Sequence, residues 1–184
     1  MNTGKYVFAQ VTSLLPFNDF IKCAEKYKGH HKIKHFTFWN QLKCMLFGQL
    51  SNRDSLSDLI VCLNTQRNTW YHLGMGTGIS KSNLAYANEN RDWRIFADYT
   101  NVLIDHAQKI CRPNKDFSVI VKGNVYAVDS TTIELCMSVF CWAATFTGHK
   151  ASIKMHTQLD IKKNIPSFIH VSNWSVHDVG ILDM

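Results

Sequence analysis

Tyr126-Ala127-Val128-Asp129 is a short apolar run that delivers one carboxylate, and Ser130, Thr131 and Thr132 follow it with three hydroxyls. A carboxylate at the end of a strand has its backbone fixed by the sheet. Its oxygens can then hold a hard divalent ion at set geometry, as in metal-dependent phosphoryl transfer. The hydroxyls can orient that carboxylate or the waters around the ion. The same string also reads as a helix N-cap, since Asp and Ser satisfy the first free amides of a helix. Local chemistry leaves both readings open.

The elements that must position these residues fall into two stretches. Residues 5 to 111 read as mostly helical. Pro16 separates a helix over Tyr6–Leu15 from one over Phe17–Tyr27, because proline restarts a helix more readily than it continues one. Thr37 is placed to cap a helix whose apolar side carries Phe38, Leu42, Met45, Leu46 and Leu50. Ser55-Leu56-Ser57-Asp58 is a capping box, and Leu56, Leu59, Ile60 and Leu63 follow at helical spacing. Gly74-Met75-Gly76-Thr77-Gly78 has neither a preceding strand nor a following Gly-Lys-Ser/Thr, so it reads as a linker near 74–79 and not as a phosphate loop. Ser80 caps a short helix through Ala87. A longer helix follows, with Trp93, Phe96, Ala97, Thr100, Leu103, Ile104 and Ala107 on one side, and Arg112-Pro113-Asn114 ends it.

After Lys122-Gly123-Asn124 the period changes. Val125 to Asp129 is expected as a buried strand. Ser152–Leu159 and Ile165–Val171 alternate as two more, joined by a polar hairpin turn at Asp160-Ile161-Lys162-Lys163-Asn164. The expected fold class is therefore α+β: a helical region over 1–115, then a second domain over 120–184 that opens with three strands. His156, on an alternating strand, reads as a packed or hydrogen-bonded histidine before a ligand.

Composition narrows the partners. The chain has 184 residues, 46% hydrophobic and 18% charged, which is the make-up of a globular protein with a substantial core. A net charge of +6 and a pI near 9.0 fit a polyanionic partner, most simply nucleic acid. Lys22, Lys26, Lys28, Lys32, Lys34 and Lys43 cluster with His30, His31 and His35 between residues 20 and 45, opposed by Glu25 alone. Lys32 and Lys34 are candidate phosphate contacts, although a solvated helix end would look the same. The six cysteines form no C-x-x-C pair and no finger-like spacing. No run approaches the ~18 apolar residues that span a bilayer, and Lys5 and Gln10 interrupt the early apolar stretch, so a soluble protein of a reducing cytoplasm is expected.

Several strings together carry a family resemblance. They are Gly4-Lys5-Tyr6-Val7-Phe8-Ala9-Gln10, Phe47-Gly48-Gln49-Leu50-Ser51-Asn52-Arg53, Asp58-Leu59-Ile60-Val61-Cys62-Leu63, Tyr71-His72-Leu73-Gly74 and Asn88-Glu89-Asn90-Arg91-Asp92-Trp93-Arg94. Tyr126 through Leu135, Ile153-Lys154-Met155-His156-Thr157 and Val176-His177-Asp178-Val179 continue the series. The chain resembles bacterial insertion-sequence transposases of the DDE type, in the group whose N-terminal helical domain carries no assigned function.

The resemblance implies DNA transposition by a ribonuclease-H-like catalytic domain. Asp129 matches the first catalytic, metal-ligating aspartate, with Mg²⁺ or Mn²⁺ as cofactor. It implies double-stranded transposon-end DNA as partner, no membrane, a possible homo-oligomer and a bacterial, nucleoid-associated location. Two ions held by three acids would activate water, then a DNA 3′-hydroxyl, for in-line attack on phosphorus. The family's second aspartate and its glutamate lie on later segments. The chain stops at Met184 before either, so the expectation is a C-terminally truncated domain deficient in catalysis. Asp160, in the expected turn, and Asp178, after the third strand, match neither ligand. A catalytically dead DNA-binding fragment or inhibitor, or a decayed gene remnant, are the alternatives. Lys81, Asn83 and Arg91, at the ends of the Ser80 helix, are the candidate DNA contacts of the helical half. Its ~15-residue separation from the preceding helix departs from the short turn of a helix-turn-helix. Lys150 and Lys154 are the candidate phosphate contacts of the second half.

Overall fold

A computed structural model describes residues 6–29, 33, 35–65, 70–71, 75, 79–111, 123–135 and 151–177. Among them, six helices precede three strands: α1 (Val7–Ser13), α2 (Phe17–Lys26), α3 (Phe38–Leu50), α4 (Leu56–Thr65), α5 (Lys81–Asn90), α6 (Arg94–Ile110), β1 (Tyr126–Leu135), β2 (Ala151–Asp160) and β3 (Ile165–Asn173). The fold class is α+β with the helices first. The chain divides into two compact units, Met1–Thr100 and Asn101–Met184, and the division falls inside α6.

Side-chain caps set the starts of α3, α4 and α5 in the first unit. The hydroxyls of Thr37, Ser55 and Ser80 accept the backbone N–H of Asn40, Asp58 and Asn83, each at 3.1 Å. Each removes one of the unpaired amides of a first helical turn. Past the end of α3, Asn52 takes the left-handed backbone (φ 51°) that asparagine tolerates better than most residues. α4 then follows with Leu59, Ile60 and Leu63 buried.

Those three side chains join Cys44 of α3, Leu84 of α5 and Trp70, Met75 and Ile79 in the main core, with Phe8, Phe36, Phe47 and Leu56 packed against it. Trp70 Nε1 donates to the Leu63 carbonyl at 2.6 Å, satisfying an acceptor in the last turn of α4. A second, aromatic cluster surrounds Phe20, whose ring lies 5.0 Å from Trp39 and 5.0 Å, edge-on, from Tyr99. Burial pushes the Cys44 thiol up to about 12, so it acts as a small hydrophobe.

Two helical faces differ from the pattern read in the sequence. On α3 the buried residues are Phe38, Gln41, Lys43, Cys44 and Gly48, whereas Met45 and Leu50 are 41% and 62% exposed. On α6 the buried residues are Ile95 and Tyr99, and Trp93 just before the helix is 70% exposed. Packing partners, not the densest apolar stripe, choose the face.

In the second unit the strands form an antiparallel sheet of order β1-β2-β3. The β2–β3 turn is built by Asp160, whose Oδ1 accepts the N–H groups of Lys162 and Lys163 at 3.0 and 3.1 Å. Asn164, at φ 56°, closes it. Pro166 lies on an edge strand beside the irregularity at Gln158/Leu159, where a missing N–H is tolerated. Lys163 Nζ donates to the Gln108 carbonyl (3.1 Å) and side chain (2.8 Å), a favourable cation at the C-terminal end of α6. β1 is longer than its sequence indicates and is not buried: it runs on to Leu135, and seven of its ten residues are exposed.

Candidate nucleic-acid interface and the Asp129 strand

Asp129 is the fourth residue of β1 and not at its end, opposite Thr157 of β2. Its Oδ1 accepts the backbone N–H of Ser130 at 2.8 Å, and the chain continues as strand, so the helix-cap reading does not hold. The pleat sorts the three hydroxyls. Thr131 shares the face of Asp129, while Ser130 and Thr132 point to the other face, opposite His156 and Lys154. That face also carries Thr157 and Asn173 and the apolar Ile133, Ile153, Met155, Leu159, Ile169 and Val171.

A divalent ion such as Mg²⁺ or Mn²⁺ needs several oxygen ligands. Among the described residues no three His, Cys, Asp or Glu side chains come together as a metal-holding group. Asp160 is committed to the β2–β3 turn, and Asp178 lies outside the described residues. Asp129 by itself does not fit a two-ion centre. His156, nearly fully buried, has Nε2 2.8 Å from the Ser172 hydroxyl, the hydrogen-bonded histidine its pattern indicated. Lys154 Nζ donates to the Val176 carbonyl at 3.3 Å. It lies on the sheet face opposite Asp129 and does not converge with it.

The basic charge is concentrated in the first unit. Residues 1–100 carry 12 Lys and Arg against 7 Asp and Glu, while residues 101–184 carry 8 against 7. In that first unit a cleft of about 530 Å³ opens between the segment after α2 and the exposed side of α5. Asn83 and Arg91, two of the candidate DNA contacts, both line it. Lys81, two residues before Asn83 at the start of α5, is exposed. Lys32 and Lys34 flank Ile33, a lining residue, in sequence; like Lys150, they lie outside the described residues.

Arg91 is the best-defined group of this cleft. Its guanidinium stands 4.5 Å from the Phe38 ring centre and 5.1 Å from that of Phe36. It donates to the carbonyls of Phe36 and Thr37 and, at 3.0 Å, to Gln41 Oε1. Gln41, itself buried, donates onward to Asn88 Oδ1 at 2.7 Å. Burial lowers the Arg91 pKa from its ordinary value, and among the described residues no carboxylate pairs with it. Arg91 thus clamps the start of α3 to the end of α5, a structural task that its sequence position did not reveal. Lys28 and His35, from the basic cluster between residues 20 and 45, also line the cleft, as do Tyr86 and Asn90, which were not singled out by sequence. Asn83, Tyr86, Ala87 and Asn90 do fall on one side of α5 at i, i+3, i+4 and i+7, the one signal that could have found them.

Residues 3–76 match DUF4372, a domain of unknown function. No curated protein and no solved structure matches the chain. The matched region covers α1 to α4 and the connection that follows, and stops short of α5. No helix among the described residues is long and apolar enough to cross a membrane.

Proposed function

We propose that this chain is the DNA-binding part of a DDE-type transposase, with its helical first unit on double-stranded transposon-end DNA. The observation that carries the reading is the charge surplus of that unit together with a cleft that gathers Asn83, Arg91 and Lys28. The DUF4372 match supports it, because it falls where the resemblance puts a helical domain of unassigned function. Three antiparallel strands with Asp129 in the first support a ribonuclease-H-like beginning to the second unit.

Catalysis is a separate matter. Asp129 is proposed as the first acid of a Mg²⁺ or Mn²⁺ site, and among the described residues it belongs to no group of three metal-ligating side chains. That observation favours a second reading, in which the chain binds DNA without cutting it. The two separate in one assay with end-containing duplex and Mg²⁺. Binding without nicking, identical in Asp129→Ala, is the outcome for binding alone. Mg²⁺-dependent nicking that disappears in Asp129→Ala is the outcome for the full activity. Absence of any DNA binding by the folded chain sinks both.

A further inference from the structure

We infer that the cleft beside α5 is a pocket for one unpaired nucleotide of a DNA strand, an inference that rests on the DNA-binding reading above. At about 530 Å³ it lies within the roughly 300–1,000 Å³ of small-ligand sites. Its concave form matters. A duplex keeps its bases stacked, and reading them requires an element that protrudes into a groove. A cleft instead receives something that protrudes from the DNA: a bulged, terminal or extruded nucleotide.

The lining offers a group for each part of such a nucleotide. For the phosphate there are the Lys28 ammonium and the Arg91 guanidinium, which no carboxylate neutralises among the described residues. Arg91 Nε–H makes no hydrogen bond among those residues, since the three bonds to Phe36, Thr37 and Gln41 use only the two terminal nitrogens. For the base plane there is Tyr86, 68% exposed on the cleft wall. Stacking on such a ring tolerates any base, because every base has a π-face. For the base edge there are the Asn83 carboxamide, with no hydrogen bond among the described residues, and Asn90 Oδ1, whose Nδ2 alone is used, donating to the Tyr86 carbonyl at 3.0 Å. Asp92, the one carboxylate among the described lining residues, is held by Arg94 at 2.7 Å and so does not oppose an incoming phosphate unscreened.

The test uses the full chain and fluorescence anisotropy with two labelled duplexes, one perfect and one with a single-nucleotide bulge. The wild type is expected to bind the bulged duplex roughly tenfold more tightly, the lower part of the range for one base stacked on an aromatic ring. Tyr86→Ala and Asn83→Ala remove exposed side chains, so their thermal midpoints should equal that of the wild type. Each should abolish the preference for the bulge, and Tyr86→Ala should do so while leaving perfect-duplex binding unchanged. Equal affinity for both duplexes, or a preference that survives Tyr86→Ala, overturns the pocket and leaves DNA binding standing. No binding to either duplex overturns the pocket together with the proposed function.

Discussion

Replacing Arg91 by alanine should unfold the first unit more readily and not merely weaken DNA binding. The substitution removes three hydrogen bonds from a charged donor, to Phe36, Thr37 and Gln41. It also removes two ring contacts, at 4.5 and 5.1 Å. Bonds to a charged group contribute about 1.5–3 kcal/mol each, but Arg91 is half-buried and water would re-solvate part of what it leaves. Non-additivity lowers the sum further, and a net loss of about 2–4 kcal/mol is expected. For a unit of this size that lowers the thermal midpoint by on the order of 10–20 °C. Arg91→Lys keeps the charge but loses the planar fork, so it should recover less than half of the loss. Urea unfolding followed by tryptophan fluorescence reads both, with Trp39 and Trp70 buried or half-buried in this unit. An unchanged midpoint in Arg91→Ala, accompanied by lost DNA affinity, would refute the structural role and return Arg91 to the DNA-reading residues.

Gly29→Ala should cost about 1–3 kcal/mol in the same urea experiment, since an added Cβ would lie 2.9 Å from both the Ala24 carbonyl oxygen and Ile95 Cδ1. Asp98 should make the acid limb of stability steeper. The Lys26 ammonium at 2.6 Å, then the Tyr27 hydroxyl at 2.9 Å, hold its carboxyl below the usual carboxylate range. A depressed folded-state value stabilises above the unfolded pKa of about 3.9, and that contribution is lost as pH falls through the folded value. Thermal midpoints at acid and neutral pH should therefore converge more in Asp98→Asn than in wild type; the difference is small because the pair is solvent-screened. Asp129→Ala should leave the midpoint nearly unchanged, because the side chain is exposed and its one described hydrogen bond is to the adjacent Ser130 amide.

Features set by neighbouring residues were legible in the sequence. The caps at Thr37, Ser55 and Ser80 are read from a hydroxyl just before an apolar-periodic segment, and the β2–β3 turn from five residues, four of them polar, with Asp and Asn at its ends. Features set by distant partners were not. The polar string Asp129-Ser130-Thr131-Thr132 looks like the end of a strand. Yet pairing of Thr131, Thr132 and Ile133 with Met155, Lys154 and Ile153 extends β1 to Leu135. The strand periodicity did hold there, but its length came from the partner. The buried sides of α3 and α6 were misjudged for a related reason. Both helices pack against more than one neighbour, which leaves Leu50 and Trp93 exposed while Gln41 is buried. The cleft was legible only in pieces. Its described walls come from residues 27–29, 33, 35, 36 and 38 and from residues between 83 and 92, which one sequence stripe cannot join; the Arg91 bonds to Phe36 and Thr37 bring them together.

Duplex binding as a function of salt tests the central claim most directly. Counterion release makes log affinity fall linearly with log salt, with a slope set by the number of phosphates neutralised. Anisotropy titrations between roughly 50 and 200 mM salt should give affinity that falls steeply across that range. Reversing charge at Lys81 and Lys28 together should flatten the slope without moving the thermal midpoint, since both side chains are exposed. A folded chain that shows no duplex binding at the lowest salt would contradict the account, as would binding indifferent to salt and to those two lysines.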